Sequence, residues 1–321
     1  MIGIGLHGSN GHQIHEVTHE KARIVAVCGC EGDWDGVKKH ATLQEMLADP
    51  DVTIVSLCSP SRATQAEDAI LCMEAGKHVF AEKPCAMSVR DLDKIIAVSK
   101  KTGRIFHEMA GTAFVEPYFT MGRLVAQGTI GEVVQVFAQK SYPYHEKRPQ
   151  DENIDGGLIC QCGIHAIRFI EHVAGRKIVG VAATETPLGN PVESTFPDGG
   201  LQMAASLIME LDNGGVASAV LNYLNPKGFG VWGNEHLRIF GTKGFMECTD
   251  GGSKTRLVVG TQDKGPIELE VPERRYSWYF DQMIDQVLGT SSPPLSIEEE
   301  LSPTRVVILA KESVGKGTMP V

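Results

Sequence analysis

A carboxylate and an amine stand side by side where a short strand is predicted to end. The segment is Gly76-Lys77-His78-Val79-Phe80-Ala81-Glu82-Lys83-Pro84. Residues 79–81 have the pattern of a buried strand, and Pro84 cannot continue its hydrogen-bond ladder. Glu82 and Lys83 therefore lie at a strand's carboxyl end, where open parallel sheets bind ligands. Desolvation there favours the neutral form of an amine, which can exchange protons. The alternative is a solvated loop lysine.

A second candidate for proton transfer is His165, on a helix predicted to follow Gly156-Gly157. A neutral imidazole beside a substrate hydroxyl can take its proton as hydride leaves the same carbon. A histidine satisfied within the core is the alternative.

A glycine turn follows the first predicted strand. Met1 to His7 is apolar, Gly8-Ser9-Asn10-Gly11 comes next, and the pattern then predicts a helix over about His12 to His19. Glycines between a strand and a helix allow backbone N–H groups to face a pyrophosphate. In this register Leu6 replaces the first glycine of the usual fingerprint. A plain strand-to-helix turn is the alternative.

The second strand should end near the adenosine ribose of a dinucleotide. An acidic residue is expected about 20 residues after the glycine turn, where it would hold the ribose diol. Gly29 follows Cys28 instead, and Glu31 is the nearest carboxylate. The sequence leaves NAD and NADP open, with a lean toward NAD. After the third strand, Arg62 is either near the cofactor or a surface arginine.

Further polar residues follow other strands. His107-Glu108 comes after a predicted fifth strand, and Tyr142-Pro143-Tyr144-His145-Glu146-Lys147-Arg148 follows a strand of the second half. Such groups suit a polyhydroxylated or carboxylated ligand, and solvated loops are the alternative. No spacing of these side chains defines a metal site, so none is expected.

The elements that must position these residues change in character along the chain. In the first half, strands alternate with helices, which predicts a parallel doubly wound sheet. The predicted elements are strands Met1–Leu6, Arg23–Cys28, Val52–Leu57, Val79–Ala81 and Arg104–Phe106, with helices from Thr42 to Ala48, 61–75 and Ser88 to Lys100. We therefore assign residues 1–116 to a dinucleotide-binding domain.

In residues 117–321 strands dominate, which predicts an α+β domain with a large, mostly antiparallel open sheet. The predicted strands are Glu132–Lys140, Ile178–Glu185, Gln202–Leu211, Gly215–Tyr223, Leu237–Phe240, Leu257–Val259 and Ile267–Val271. The predicted helices are Tyr118–Gln127, Gly157–Val173, Tyr276–Leu288 and Ser302–Val314, the last of which is expected to pack back on the first domain.

Composition narrows the class of partner. The 321 residues carry a net charge of −10, which argues against nucleic acid and anionic membrane surfaces. No apolar run approaches the roughly 20 residues that span a bilayer, and a chain that starts in a strand is expected to lack a signal peptide. Cysteines within apolar patterns suit reduced thiols in the cytoplasm.

Several motifs, in order from end to end, resemble the glucose–fructose oxidoreductase/inositol dehydrogenase (Gfo/Idh/MocA) family. They are the glycine turn, segment 76–84, Gly156-Gly157 with Gly163-Ile164-His165, Leu237–Gly244 and Glu312–Gly317. The resemblance implies a Rossmann domain, then a domain whose open sheet forms a homodimer or homotetramer. It also implies an NAD(P)-dependent oxidoreductase acting on a sugar, cyclitol or related polyol.

The resemblance also implies roles for individual residues. Lys83 and His165 would be catalytic. The residues expected to bind the dinucleotide are Gly8, Ser9, Asn10, Gly11, Glu31, Ser59, Pro60, Glu82 and Lys83. Those expected to bind substrate are Lys83, Glu108, Tyr144, His145, Gln161 and His165.

One departure from the family pattern leaves other functions open. Gln161 stands where the family has Asp, and an amide cannot hold a proton. Together with Leu6 and Gly29, it motivates a non-catalytic regulator that binds a dinucleotide or sugar. An NAD-dependent glycoside hydrolase, which oxidises its substrate transiently, is the other alternative.

Overall fold

The computed structural model describes residues 1–193, 195–196, 199–274 and 276–321. They form two compact units. The first contains Met1–Ala110, Asn153–Gly156 and Ser277–Thr304, and the second contains Gly111–Glu152, Gly157–Tyr276 and Arg305–Val321. In the described ranges, no helix has the combination of length and apolar character needed to cross a membrane.

The first unit is built on a six-stranded parallel sheet. Its elements in chain order are β1 (Ile2–His7), β2 (Ala22–Cys28), β3 (Lys38–His40), α1 (Leu43–Ala48), β4 (Ile54–Leu57), α2 (Arg62–Glu74), β5 (His78–Ala81), α3 (Val89–Thr102) and β6 (Phe106–Glu108). The strand order β3-β2-β1-β4-β5-β6 is that of a Rossmann fold. The predicted doubly wound sheet is therefore confirmed.

The second unit carries a nine-stranded sheet. The elements that follow β6 in the chain are α4 (Tyr118–Ala126), β7 (Val133–Ser141), α5 (Glu152–Asp155), α6 (Gly163–Arg168), β8 (Ile178–Thr186), β9 (Ala204–Leu211), β10 (Val216–Asn222), β11 (Asn234–Gly241), β12 (Gly244–Thr249), β13 (Lys254–Val259), β14 (Gln262–Gly265), α7 (Ser277–Val287), α8 (Ile297–Ser313) and β15 (Met319–Pro320). Of these, α7, most of α5 and the first half of α8 belong to the first unit. The order is β14-β13-β12-β11-β7-β10-β9-β8-β15. Only the pair β7–β10 is parallel, so the predicted mostly antiparallel sheet is also confirmed.

Side-chain hydroxyls cap the first three helices. The hydroxyls of Thr42, Ser61 and Ser88 accept hydrogen bonds from the first turns of α1, α2 and α3. Gly103 ends α3 with a left-handed φ of 66°. These caps satisfy N–H groups that a helix start leaves without partners.

The helix predicted over His12 to His19 is wrong: this stretch is irregular. The buried Gln13 side chain instead connects this stretch to the sheet through hydrogen bonds. Its amide donates to the carbonyls of His7, Gly8 and Ser56, and its oxygen accepts from the Ser56 hydroxyl at 2.6 Å. The chain thus reaches β2 without closing helical turns.

Two predicted strands are displaced. The strand placed at Arg104–Phe106 is instead β6, because the Ile105 N–H is bound to Nδ1 of His78 and pairing with β5 starts at Phe106. The strand predicted at Ile267–Val271 is wrong, since the Glu270 and Val271 N–H groups donate to the side chains of Thr120 in α4 and of Glu116, two residues before α4. Strands β3, β12, β14 and β15 were not predicted from the sequence.

Candidate active site

The glycine turn is shaped by close backbone contacts at the carboxyl end of β1. Gly8 has a φ of 73°, and a Cβ there would lie 2.0 Å from the carbonyl oxygen of Cys58. Gly11 has a φ of 121°, and a Cβ there would lie 2.6 Å from Cγ of Glu82. Both positions therefore exclude any larger residue.

The buried Arg62 holds three loops together. Its guanidinium donates to the carbonyls of Asn10, Ser59 and Lys83. These residues belong to the loops after β1, β4 and β5, so one side chain fixes three predicted cofactor-binding segments at adjacent strand ends. The surface alternative for Arg62 is wrong, because only 2% of its surface is exposed.

Gln65, one turn further along α2, supports the same loops. Its amide donates to the carbonyls of Glu82 and Pro84, and its oxygen accepts from the Ser59 N–H. The backbone on both sides of Lys83 is thus bonded to α2.

Glu82 is a buried carboxylate within this cluster. The His12 N–H donates to it at 2.7 Å, the His12 ring lies at 3.0 Å, and Nζ of Lys83 is 3.7 Å from its other oxygen. Burial alone would raise the pKa of Glu82, but the His12 hydrogen bond and the charges of Lys83 and Arg62 outweigh it. The pKa falls to about 2, so the carboxylate is ionised at any working pH.

Lys83 itself is 1% exposed. The solvated alternative for this lysine is therefore wrong. A buried amine at the carboxyl end of β5, next to an ionised carboxylate, is suited to donate a hydrogen bond to a substrate oxygen.

The remaining predicted cofactor residues surround this cluster. The Asn10 amide donates to the carbonyls of Pro60 and Ile154. The Ser9 hydroxyl accepts from the Glu31 N–H at 2.8 Å, which ties the loop after β2 to the glycine turn while the Glu31 side chain stays exposed. Ser59 is buried and donates to Asp68 at 2.7 Å.

Glu108, at the end of β6, is engaged by the protein on both carboxylate oxygens. One accepts from the Cys85 N–H at 2.8 Å and the other from the Thr304 hydroxyl at 2.7 Å. Glu108 therefore fixes the chain two residues beyond Lys83. Its role toward substrate stays a prediction.

In the second unit, His165 lies on a helix of mixed winding. Residues 158–162 and 169–173 are π-helical, and the α-helical turn between them carries His165. Nδ1 of His165 is 2.9 Å from the Thr112 hydroxyl. Such a contact restricts the orientation of the imidazole ring. Isolated π-turns are frequent at functional sites.

Gln161 has partners of its own. Its side-chain oxygen accepts from the Tyr223 hydroxyl at 3.1 Å and from Arg148 at 3.3 Å, and the guanidinium of Arg148 lies 3.7 Å from the Tyr223 ring centroid. The position at which the family has Asp thus adjoins a buried cation.

Tyr144 and His145 line a surface cavity of the second unit. The His145 ring stacks on Trp232, with centroids 6.1 Å apart and planes at 23°. Trp232 had no role in the sequence analysis, because its partner lies in a distant loop.

A Rossmann strand order with a glycine turn after the first strand is typical of dinucleotide-binding domains. A model of the oxidoreductase family with an NAD-binding Rossmann fold matches residues 1–109, and a model of the GFO/IDH/MocA C-terminal domain matches residues 118–247. The chain belongs to this GFO/IDH/MocA family, as the motifs predicted.

Individual relatives have low sequence identity to this chain, but the similarity extends over most of both chains. Myo-inositol 2-dehydrogenase of Thermotoga maritima is 27% identical over 289 residues, covering 87% of this chain and 83% of the relative. The 4-carboxy-2-hydroxymuconate-6-semialdehyde dehydrogenase of a Sphingobium species is 26% identical, covering 71% and 70%. The crystal structure of an aldose–aldose oxidoreductase from Caulobacter crescentus matches with a TM-score of 0.82 at 21% identity, covering 100% of this chain and 99% of the other. This last likeness is one of fold.

The first unit therefore brings together Gly8 to Gly11, Ser59, Pro60, Glu82 and Lys83, and the second unit carries Tyr144, His145, Gln161 and His165. The meeting of Lys83 and His165 beside one substrate stays a prediction. Sequence reasoning missed His12, Gln13, Thr112 and Trp232, which become recognisable only from contacts that are distant in the chain.

Proposed function

We propose that the protein is an NAD-dependent dehydrogenase or reductase of a sugar, cyclitol or related polyol, located in the cytoplasm. The observation that carries the proposal is the buried Lys83 amine beside the glycine turn. The name of the Thermotoga maritima relative supports a cyclitol or polyol substrate. Within the described residues none of the eight cysteines forms a disulfide, which supports a reducing compartment.

The residues that would hold the dinucleotide are those of the three loops joined by Arg62. Backbone N–H groups of Gly8 to Gly11 would face its pyrophosphate. When bound, its nicotinamide ring exchanges hydride with the substrate carbon. Residues 29–36 contain Glu31, Asp33 and Asp35 and no lysine or arginine, so a 2′-phosphate would meet only negative charge there. This composition favours NAD over NADP.

In the proposed mechanism, Lys83 donates a hydrogen bond to the reacting oxygen and stabilises negative charge that develops on it. His165 takes the hydroxyl proton, and the Thr112 hydroxyl orients its ring through the contact at Nδ1. Gln161 cannot hold a proton, so it serves as a hydrogen-bond partner.

Variants of Lys83 and His165 should lose turnover but keep cofactor binding. Lys83→Met and His165→Ala are expected to lower kcat by about 10²–10⁴-fold, because each removes a group that acts on the reacting oxygen. Calorimetric titration should show that both variants still bind NADH, and that wild type binds NADH more tightly than NADPH. Lys94→Met, on the exposed face of α3, should match wild type. Full activity of Lys83→Met on the polyol that wild type oxidises would contradict the assignment.

A dinucleotide-binding regulator is the second candidate, favoured by Gln161 in place of the family Asp. It predicts NADH binding by wild type without turnover of any member of a broad polyol and sugar panel. Release of sugar from glycosides without net NADH would instead indicate the hydrolase.

A further inference from the structure

A surface cavity of the second unit lies beside His145. It measures about 520 Å³ and is lined by Tyr144, His145, Glu146, Lys147, Lys227 and Trp232. Its walls come from the loop after β7 and the loop between β10 and β11. A cavity of this size accommodates a single sugar ring with a substituent.

The two loops are bonded to each other at their base. The Asn225 N–H donates to the Tyr142 carbonyl at 3.1 Å, and Pro143 forms a β-bridge with Leu224. The Asn225 amide also donates to the Val231 carbonyl at 2.6 Å, which closes the second loop just before Trp232. The cavity walls are therefore positioned by internal hydrogen bonds, not by ligand.

Trp232 offers an aromatic surface. Its side chain is 59% exposed, although His145 and Tyr142 both pack on it with ring centroids 6.1 Å away. An indole that is fixed by neighbours yet left open presents a rigid flat surface at little entropic cost. The apolar C–H face of a pyranose or cyclitol ring is a suitable partner for it.

The charge of the lining is opposite to that of the whole chain. Lys147 and Lys227 contribute two cations against the single carboxylate of Glu146, whereas the chain carries a net charge of −10. Two ammonium groups at one cavity attract an anionic group of the ligand.

We propose that this cavity selects a polyol that carries an anionic group, a carboxylate or a phosphate. The ring stacks on Trp232 and the anion binds Lys147 and Lys227. The next residue, Arg148, contacts Gln161 on the helix of His165, which connects the cavity to the candidate active site of this unit. As to the reaction the ligand undergoes, this inference rests on the function proposed above.

The test compares ligands that differ only in charge. Glucose, glucuronate and glucose 6-phosphate form one set, and galactose, galacturonate and galactose 6-phosphate form a second. By calorimetry with the full chain saturated with NADH, an anionic member should bind at least about tenfold tighter than its neutral counterpart. This preference should shrink in about 0.5 M salt, which screens exposed charges. Tighter binding of the uronate or of the phosphate identifies the anion.

Variants assign the preference to the cavity. Lys147→Met combined with Lys227→Met should remove it and leave the affinity for the neutral sugar unchanged, whereas Trp232→Ala should weaken neutral and anionic members alike. Lys264→Met, an exposed lysine of β14, is the matched control. The inference is overturned if no anionic sugar binds more tightly than its neutral counterpart. It is also overturned if the preference for anionic sugars persists in the double variant. Turnover of neutral polyols without a charge preference would refute the inference about the cavity but agree with the proposed function. Charge-selective binding without turnover would support the inference about the cavity and contradict the proposed function.

Discussion

At the scale of single residues, the cluster around Glu82 explains why two charged residues can be buried next to each other. Isolated burial of a carboxylate or an amine is unfavourable. Glu82 is compensated by His12, Arg62 and Lys83, while Arg62 is satisfied by three carbonyls. The cluster fixes the positions of the loop backbones and stabilises the two opposite charges of Glu82 and Lys83.

Replacing Glu82 by Gln is expected to lower stability at neutral pH and to flatten its pH dependence. The pKa of Glu82 is about 2 in the folded protein against an ordinary 4.5, so its ionisation stabilises the fold above about pH 4.5. That stabilisation, about 3 kcal/mol at neutral pH, is lost as the pH falls toward 2.

Urea denaturation between about pH 7 and pH 3 measures this effect. The difference in the free energy of unfolding between wild type and Glu82→Gln should become smaller as the pH falls. The exposed Glu146→Gln variant should follow wild type throughout. A gap that stays constant over this range would show that the charge of Glu82 contributes nothing.

At the scale of elements, the helix of His165 depends on how it begins. Gly157 has φ 68° and ψ −179°, a conformation that is almost confined to glycine. A Cβ there would also lie 2.4 Å from Cδ of Glu152. The residue that precedes the π-helical segment therefore sets the direction in which the helix leaves.

Gly157→Ala is expected to destabilise the protein by roughly 1–3 kcal/mol and to lower kcat, because the strain shifts the helix that carries His165. Thermal denaturation and turnover measure the two effects. Gly175→Ala is the matched control, since Gly175 has a φ of 64° with no atom within 4 Å of its Cβ position. It should cost less stability and leave kcat near that of wild type. Equal losses in both variants would exclude a special role for Gly157.

The same scale shows what the sequence can and cannot reveal. Caps and strand alternation are local signals, and they located α1, α2, α3 and most strands. The failed helix at 12–19 had an amphipathic pattern, but Gln13 satisfies backbone groups that are distant in the chain, and no local pattern reports this. A π-turn adds one residue to a helix without any compositional mark, so the mixed winding of the helix that carries Gln161 and His165 could not be predicted from the sequence.

The residues of the candidate site also differ in whether local sequence signals or distant contacts reveal them. Lys83, His165 and the glycine turn belong to contiguous motifs and were found from sequence. His12 contacts a residue 70 positions away, and Arg62 one 52 positions away. Their part in the site follows from the sheet order, which brings the ends of β1, β4 and β5 together.

At the scale of the whole molecule, one face of the nine-stranded sheet carries exposed apolar residues. Along β9, Leu207 and Met209 are buried while Ile208 between them is 66% exposed. Val216 on β10, Val179 on β8 and Val134 on β7 are 43–49% exposed. Such a face is typical of surfaces that pair with a second copy, which supports the proposed homodimer or homotetramer.

Ile208→Lys is expected to dissociate this assembly without unfolding the subunit, because the side chain is already exposed. Light scattering coupled to size-exclusion chromatography should show a smaller particle than wild type, with an unchanged circular dichroism spectrum. Leu188→Lys, at a site 81% exposed outside the strands, should keep the wild-type mass. An unaltered mass for Ile208→Lys would place any interface elsewhere.

The two ends of that sheet limit how such an assembly can grow. At one end, β14 presents exposed Gln262, Asp263 and Lys264, and at the other β15 is two residues long and finishes in Pro320. Charged side chains and proline both discourage the addition of another strand. Growth of an assembly by pairing of these sheet edges is therefore disfavoured, so the proposed association of copies would have to use the face of the sheet.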